Sequence, residues 1–303
     1  MRRNHQHRSR VALLPLATAF AMLSACSAAE SRATTIPSQS PQTASRAVEQ
    51  QPEGGYTTSG EKPAVYKPAA PEYTVRTPAG HLVNDCVPKR LWKSVTTLTT
   101  KDQKHLSTLI LGKGPNAIYF GHQYGGQICN LLDLAEGFVK RGYRVIMPEF
   151  RGHVASEESE TSSPLDAKAA FDKLKKLGTK RVFLTGASCG GTTAATEGVK
   201  SGIPLVGLTL LSSPARCDGD AVAAVKKIKQ PSLFMVAHDD MQGLHERDIR
   251  EMFEASAARD KRLIAIDGEA HGTLMLYGSK EADKLRAKVI DFIADTYAAS
   301  LDR

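Results

Sequence analysis

The run Arg181-Val182-Phe183-Leu184-Thr185 has the branched and aromatic make-up of a buried strand, and it leads straight into Gly186-Ala187-Ser188-Cys189-Gly190-Gly191 and a helix-forming stretch. Few features restrict a fold so tightly. A Gly-x-Ser-x-Gly between strand and helix puts the serine on a sharp, strained turn that lifts its hydroxyl clear of the sheet and turns helix N–H groups toward it. Gly186 and Gly190 suit such a turn, because a side chain at either position would collide where strand and helix meet. Ser188 is therefore the candidate nucleophile. The plainer reading of the same residues is a glycine-rich turn in which Ser188 caps the helix.

Around this motif, short strand-like runs alternate with amphipathic helical ones, which predicts an α/β domain with a mostly parallel sheet and helices on both faces. Val95–Thr99 reads as an edge strand, and Leu106–Leu111, Ala117–Phe120, Tyr143–Met147, Leu205–Leu211, Ser232–Ala237 and Arg262–Ile266 as further strands. Helices are expected from about 128 to 141, from Ser163-Pro164 to Gly178, after Ser188, near 221–227 and 244–257, and over 280–299. In the last of these Leu285, Val289, Phe292 and Ile293 form one apolar stripe. Only about twenty residues separate Leu211 from Ser232, too few for a large cap domain.

The N-terminus has a different character. Residues 1–10 are basic and polar, Val11–Met22 is a short apolar run, and Leu23-Ser24-Ala25-Cys26 follows. This is the layout of a signal peptide over 1–25, too short for a stable membrane span, and the four residues resemble a lipobox whose cysteine is acylated. Cys26 is the expected lipidation site, which predicts a protein held on the outer side of the cell membrane. Residues 26–79 are rich in Ser, Thr, Pro, Ala and Gln and read as a disordered tether, with one folded domain over 80–303.

The chain carries 40 Lys+Arg against 32 Asp+Glu, but Arg2, Arg3, Arg8 and Arg10 lie in the segment expected to be removed. No basic stripe interleaved with aromatics remains, so nothing points to nucleic acid. No motif calls for a metal or cofactor. Besides Cys26 there are Cys86, Cys129, Cys189 and Cys217. Cys86 with Cys129 is the preferred pair, and Cys189 is expected to stay reduced with its side chain packed inward.

A serine hydroxyl needs an imidazole to take its proton and a carboxylate to hold that imidazole. Asp240 follows the strand Ser232–Ala237, and His271 lies in Gly268-Glu269-Ala270-His271-Gly272 after the next strand. Both would open at the carboxyl edge of a parallel sheet, beside Ser188. Asp239, and less so Asp218 or Asp220, compete for the acid role, while His271 could be an ordinary loop histidine. An acyl-transfer site also needs two N–H donors for the developing oxyanion. Cys189 would supply one. The other is expected from Gly121-His122-Gln123-Tyr124-Gly125-Gly126, with Gln123 or Tyr124 as donor and Tyr124 preferred.

Taken in order, His122 with Gly125-Gly126, Gly142-Tyr143-Arg144-Val145, Arg151-Gly152-His153, Ser188, Asp240 and His271-Gly272 resemble the α/β-hydrolase superfamily over about residues 95 to 300. The resemblance implies a serine hydrolase of carboxylic esters, with a small-molecule ester as substrate, no cofactor, and no large cap over the site. A peptidase or amidase of the same fold, or a surface-binding protein without turnover, are the alternatives. The sequence departs from the common pattern at Gln123, where the resemblance implies glycine after the histidine, at Glu149, where it implies aspartate, and at Val154, where glycine is frequent.

Overall fold

The structure is a computed structural model and describes residues 62–162 and 164–301. A two-stranded hairpin, β1 (Thr74–Arg76) and β2 (Leu82–Asn84), precedes a sheet of eight strands. These are β3 (Val95–Thr99), β4 (His105–Leu111), β5 (Asn116–Gly121), β6 (Arg144–Pro148), β7 (Arg181–Ala187), β8 (Leu205–Leu211), β9 (Ser232–Ala237) and β10 (Lys261–Ile266). Their spatial order is β10-β9-β8-β7-β5-β6-β4-β3. Only β4 runs against its neighbours; β5 to β10 are mutually parallel.

The helices are α1 (Leu132–Val139), α2 (Pro164–Lys176), α3 (Cys189–Gly198), α4 (Ala221–Val225), α5 (Leu244–Ala255), α6 (Leu274–Tyr277) and α7 (Ala282–Leu301). Strand side chains alternate between two cores, as a period of two demands. On β5, Ile118 and Phe120 join α1 and α7 on one face, while Ala117 and Tyr119 join α2, α3 and α5 on the other. The stripe of α7 is buried in the first of these cores, each of its large side chains stabilising by about 1.5–3 kcal/mol through burial. Between β8 and β9 the chain carries only a loop and α4, so among the described residues no cap-sized insertion interrupts the sheet here.

From β5 the chain crosses to β6 on one side and then to β7 on the other. The carboxyl ends of β5 and β7 therefore flank the crevice where a doubly wound sheet reverses direction, the position at which such sheets bind ligands. The expected nucleophile turn and the glycine-rich loop end up side by side for that reason.

Two expectations need correction. Folded structure begins before residue 80: Tyr66 donates to the Ala155 carbonyl at 2.8 Å, and the Ala69 and Ala70 N–H groups donate to Ser156 and Val154 at 2.9 Å. Residues 66–79 thus belong to the domain, fastened to the loop after β6. The second concerns Cys189, which is not reduced. It is bonded to Cys217 with Cα atoms 5.4 Å apart, alongside the expected Cys86–Cys129 bridge at 6.3 Å. The side chain at the first turn of α3 is partly exposed and faces the β8–α4 loop rather than the core. Residues 1–25, Cys26, the tether up to 61 and the Ser163 cap lie outside the described residues.

Candidate active site

Ser188 sits at φ 50°, ψ −135°, a backbone state that costs an L-residue on the order of 1–3 kcal/mol. The surroundings hold it there. Its N–H donates to Leu211 O at 2.8 Å, tying the turn to β8, and its carbonyl accepts from Gly191 N at 2.8 Å, starting α3. A Cβ on Gly190 would overlap the His122 carbonyl oxygen, and one on Gly186 would overlap the Gly190 carbonyl. The two glycines let the turn press against both its own helix and the loop after β5.

Asp240 is fully buried and accepts from His271 Nδ1 through both oxygens, at 2.9 and 3.0 Å. With its proton on Nδ1, the imidazole presents Nε2 as a free acceptor. The competing acids are placed elsewhere: Asp239 is exposed, Asp220 caps α4 through the Ala223 N–H at 2.9 Å, and Asp218 is exposed on the β8–α4 loop. His238 pairs with Glu246 at 2.9 Å instead of entering the site. Gly272, next to His271, closes on the nucleophile turn, since a Cβ there would come within 3.2 Å of Ala187 Cβ. Among the described residues, no hydrogen bond joins Ser188 Oγ to the His271 ring, while the two loops adjoin through Gly272 and Ala187.

The glycine-rich loop is held by two buried histidines. His122 donates from Nδ1 to Gln123 O at 2.8 Å and accepts from Phe150 N at Nε2, 2.9 Å. His153 donates from Nδ1 to Arg151 O at 3.0 Å and accepts from Gly125 N at Nε2, 3.1 Å. Each needs one bare ring nitrogen, so each works as a neutral imidazole. Burial pushes the His122 pKa down to about 3, with His153 nearby adding to the effect, and burial also lowers that of His153. Tyr124 is exposed, its ring set edge-on against His153 at 5.1 Å. Among the described residues, neither Tyr124 N–H nor Cys189 N–H is consumed by an internal hydrogen bond.

Sequence reasoning passed over one neighbour of the Asp240–His271 pair. His245, near the start of α5, lies against the His271 ring with centroids 4.8 Å apart, and its buried Nδ1 has no hydrogen-bond partner among the described residues. Burial, and the neighbouring His271, lower its pKa against the opposing pull of Asp240. Gln123, one of the two candidate oxyanion donors, fills the space between the two loops with its side chain, and Cys217 joins Cys189. Asp240, His245 and His271 bring possible ligand atoms within 4.8 Å of one another. In this cluster His271 Nδ1 and both Asp240 oxygens are already engaged with one another. The crevice beside Cys189, lined by His122, Tyr124, Phe150, His153 and Thr193, is small, about 20 Å³. The roomier groove of about 690 Å³ lies between β3 and α2 and shares no residue with this site.

No family model matches the chain, and no curated protein matches it. Solved structures do. The esterase Pf2001 of Pyrococcus furiosus superposes with a TM-score of 0.56 at 18% identity, over 66% of this chain and 89% of its own. An esterase from Exiguobacterium antarcticum gives 0.54 at 15%, over 66% and 99%. A monoacylglycerol lipase from Paleococcus ferrophilus gives 0.52 at 15%, over 63% and 99%. The chain has the α/β-hydrolase fold, in agreement with the resemblance carried by its motifs.

Proposed function

We propose that this protein is a serine hydrolase that cleaves a carboxylic ester through an acyl-enzyme on Ser188. The observation that carries the reading is the bidentate Asp240–His271 pair, formed from two separate strand ends on the edge where Ser188 stands strained at the head of α3. Ser188 Oγ attacks the ester carbonyl while His271 Nε2 takes its proton, and Asp240 stabilises the imidazolium that forms. The oxyanion is met by the N–H groups of Cys189 and Tyr124, both unspent among the described residues. Collapse expels the alcohol, which receives the proton from His271. Water, deprotonated by the same nitrogen, then releases the acid and restores Ser188.

The structural neighbours named as esterases and a lipase support ester chemistry. The short connection between β8 and β9, with no cap-sized insertion among the described residues, favours small or exposed ester groups. The two disulfides support an oxidising compartment, and with the lipobox-like Leu23-Ser24-Ala25-Cys26 they favour a domain held outside the cell membrane by a lipid on Cys26. His271→Ala should abolish hydrolysis of short-chain p-nitrophenyl esters by the folded protein. Turnover at the parental rate would remove His271 from the role of base.

A further inference from the structure

Where the α/β-hydrolase resemblance implies glycine after the histidine of the loop following β5, this chain has Gln123, and its side chain is buried. Its Oε1 accepts from both the Thr273 N–H and the Thr273 hydroxyl, each at 2.8 Å. A backbone N–H can only donate, so the amide orientation is fixed by its partner. Thr273 lies two residues past His271 and is fully buried. The two loops are shaped around this side chain: a Cβ on Gly272 would overlap Gln123 Oε1, and one on Gly126 would come within 2.8 Å of Gln123 Cγ.

The backbone of the same residue is held as firmly. Its carbonyl accepts from Gly126 N at 2.9 Å and from His122 Nδ1 at 2.8 Å. Because a peptide unit is planar and trans, fixing the Gln123 carbonyl also fixes the direction of the Tyr124 N–H on the opposite side of the same unit. One residue thus aims an N–H donor with its main chain and fastens the histidine loop with its side chain.

We propose that Gln123 is a positioning residue that couples the loop after β5 to the loop carrying His271, setting the oxyanion donor and the base against each other. The proposal rests on the serine-hydrolase reading for its kinetic consequence. Its structural half stands by itself, because the tether joins segments 150 positions apart in sequence. A glycine at this position would leave the His271 loop without its hold at Thr273.

The test compares the parent with Gln123→Leu, which keeps bulk and removes the acceptor, and Gln123→Glu, which restores an acceptor. Hydrogen exchange and ester kinetics are measured on each. Gln123→Leu should speed amide exchange in residues 268–275 on the order of tenfold while peptides of β7 keep parental rates. Its kcat should fall on the order of 10²-fold with KM little changed, as expected when a base is misplaced while substrate binding is preserved. Gln123→Glu should recover most of both. Parental exchange in 268–275, parental kcat, or faster exchange spread evenly over the sheet would overturn the proposal. If Gln123→Leu does not fold, Thr273→Val removes only the hydroxyl donor and is judged by the same readings, with smaller changes expected. A parent enzyme that hydrolyses no ester would sink the hydrolase reading, and the exchange rates would then decide the tether by themselves.

Discussion

A carboxylate held against His271 through both oxygens does more than add charge; it decides which ring nitrogen carries the proton. Asp240→Asn would replace one acceptor with an amide donor and favour the tautomer with a bare Nδ1, leaving no free acceptor at Nε2. The expected result is a fall in kcat on the order of 10⁴-fold with the fold intact, measured by ester kinetics beside a thermal melt. A loss below about tenfold would show that the pair orients nothing that matters to turnover. Much of this residue-level arrangement was legible in the chain. Ser188, Asp240 and His271 each follow a strand end, so order and spacing bring them to one edge. His245 and the contact of Gln123 with Thr273 were not legible, because each depends on a neighbour distant in sequence that local periodicity does not mark. Cys189 was misjudged for the same reason: its partner Cys217 is reached only once β8 lies beside β7.

The loop after β5 depends on buried imidazoles that must stay neutral, and this gives the fold a definite pH response. His122 is held down to about 3 by burial, whereas an unfolded histidine titrates near 6.5. Below about pH 6.5 the unfolded chain takes up a proton that the folded one refuses, so stability is lost as pH falls from there toward the folded value. Burial raises Glu149 to about 7 and Asp166 to about 6, and those carboxyls respond in the opposite sense. Comparison with His122→Asn isolates the histidine. The stability cost of that substitution, measured by urea unfolding, should be larger at pH 7 than at pH 4.5 by about 2–3 kcal/mol. Equal costs at the two pH values would contradict a neutral buried His122. Strand and helix bounds were read well from periodicity, since buried strands and striped helices declare themselves locally. The start of the domain was not, because Tyr66 to Ala70 gain their order from the loop after β6 and have no apolar pattern of their own.

The molecule as a whole is stapled at two places, once from the start of the domain to the segment before α1 and once from the nucleophile turn to the β8–α4 loop. The first bridge closes a span of 43 residues remote from Ser188 in sequence. Replacing both Cys86 and Cys129 with alanine should cost about 2–4 kcal/mol and lower the melting temperature by roughly 5–15 °C, with turnover retained well below the melt. An unchanged melting temperature would mean that the packing of β2 and its neighbours needs no such staple. The proposed function depends on the hydroxyl at the β7–α3 turn being an activated nucleophile. A fluorophosphonate probe reads it directly: the parent protein should be labelled covalently at Ser188, and Ser188→Ala, folded to the same melting temperature, should not be labelled. A parent that resists the probe, or an alanine variant labelled as fast as the parent, would contradict the account.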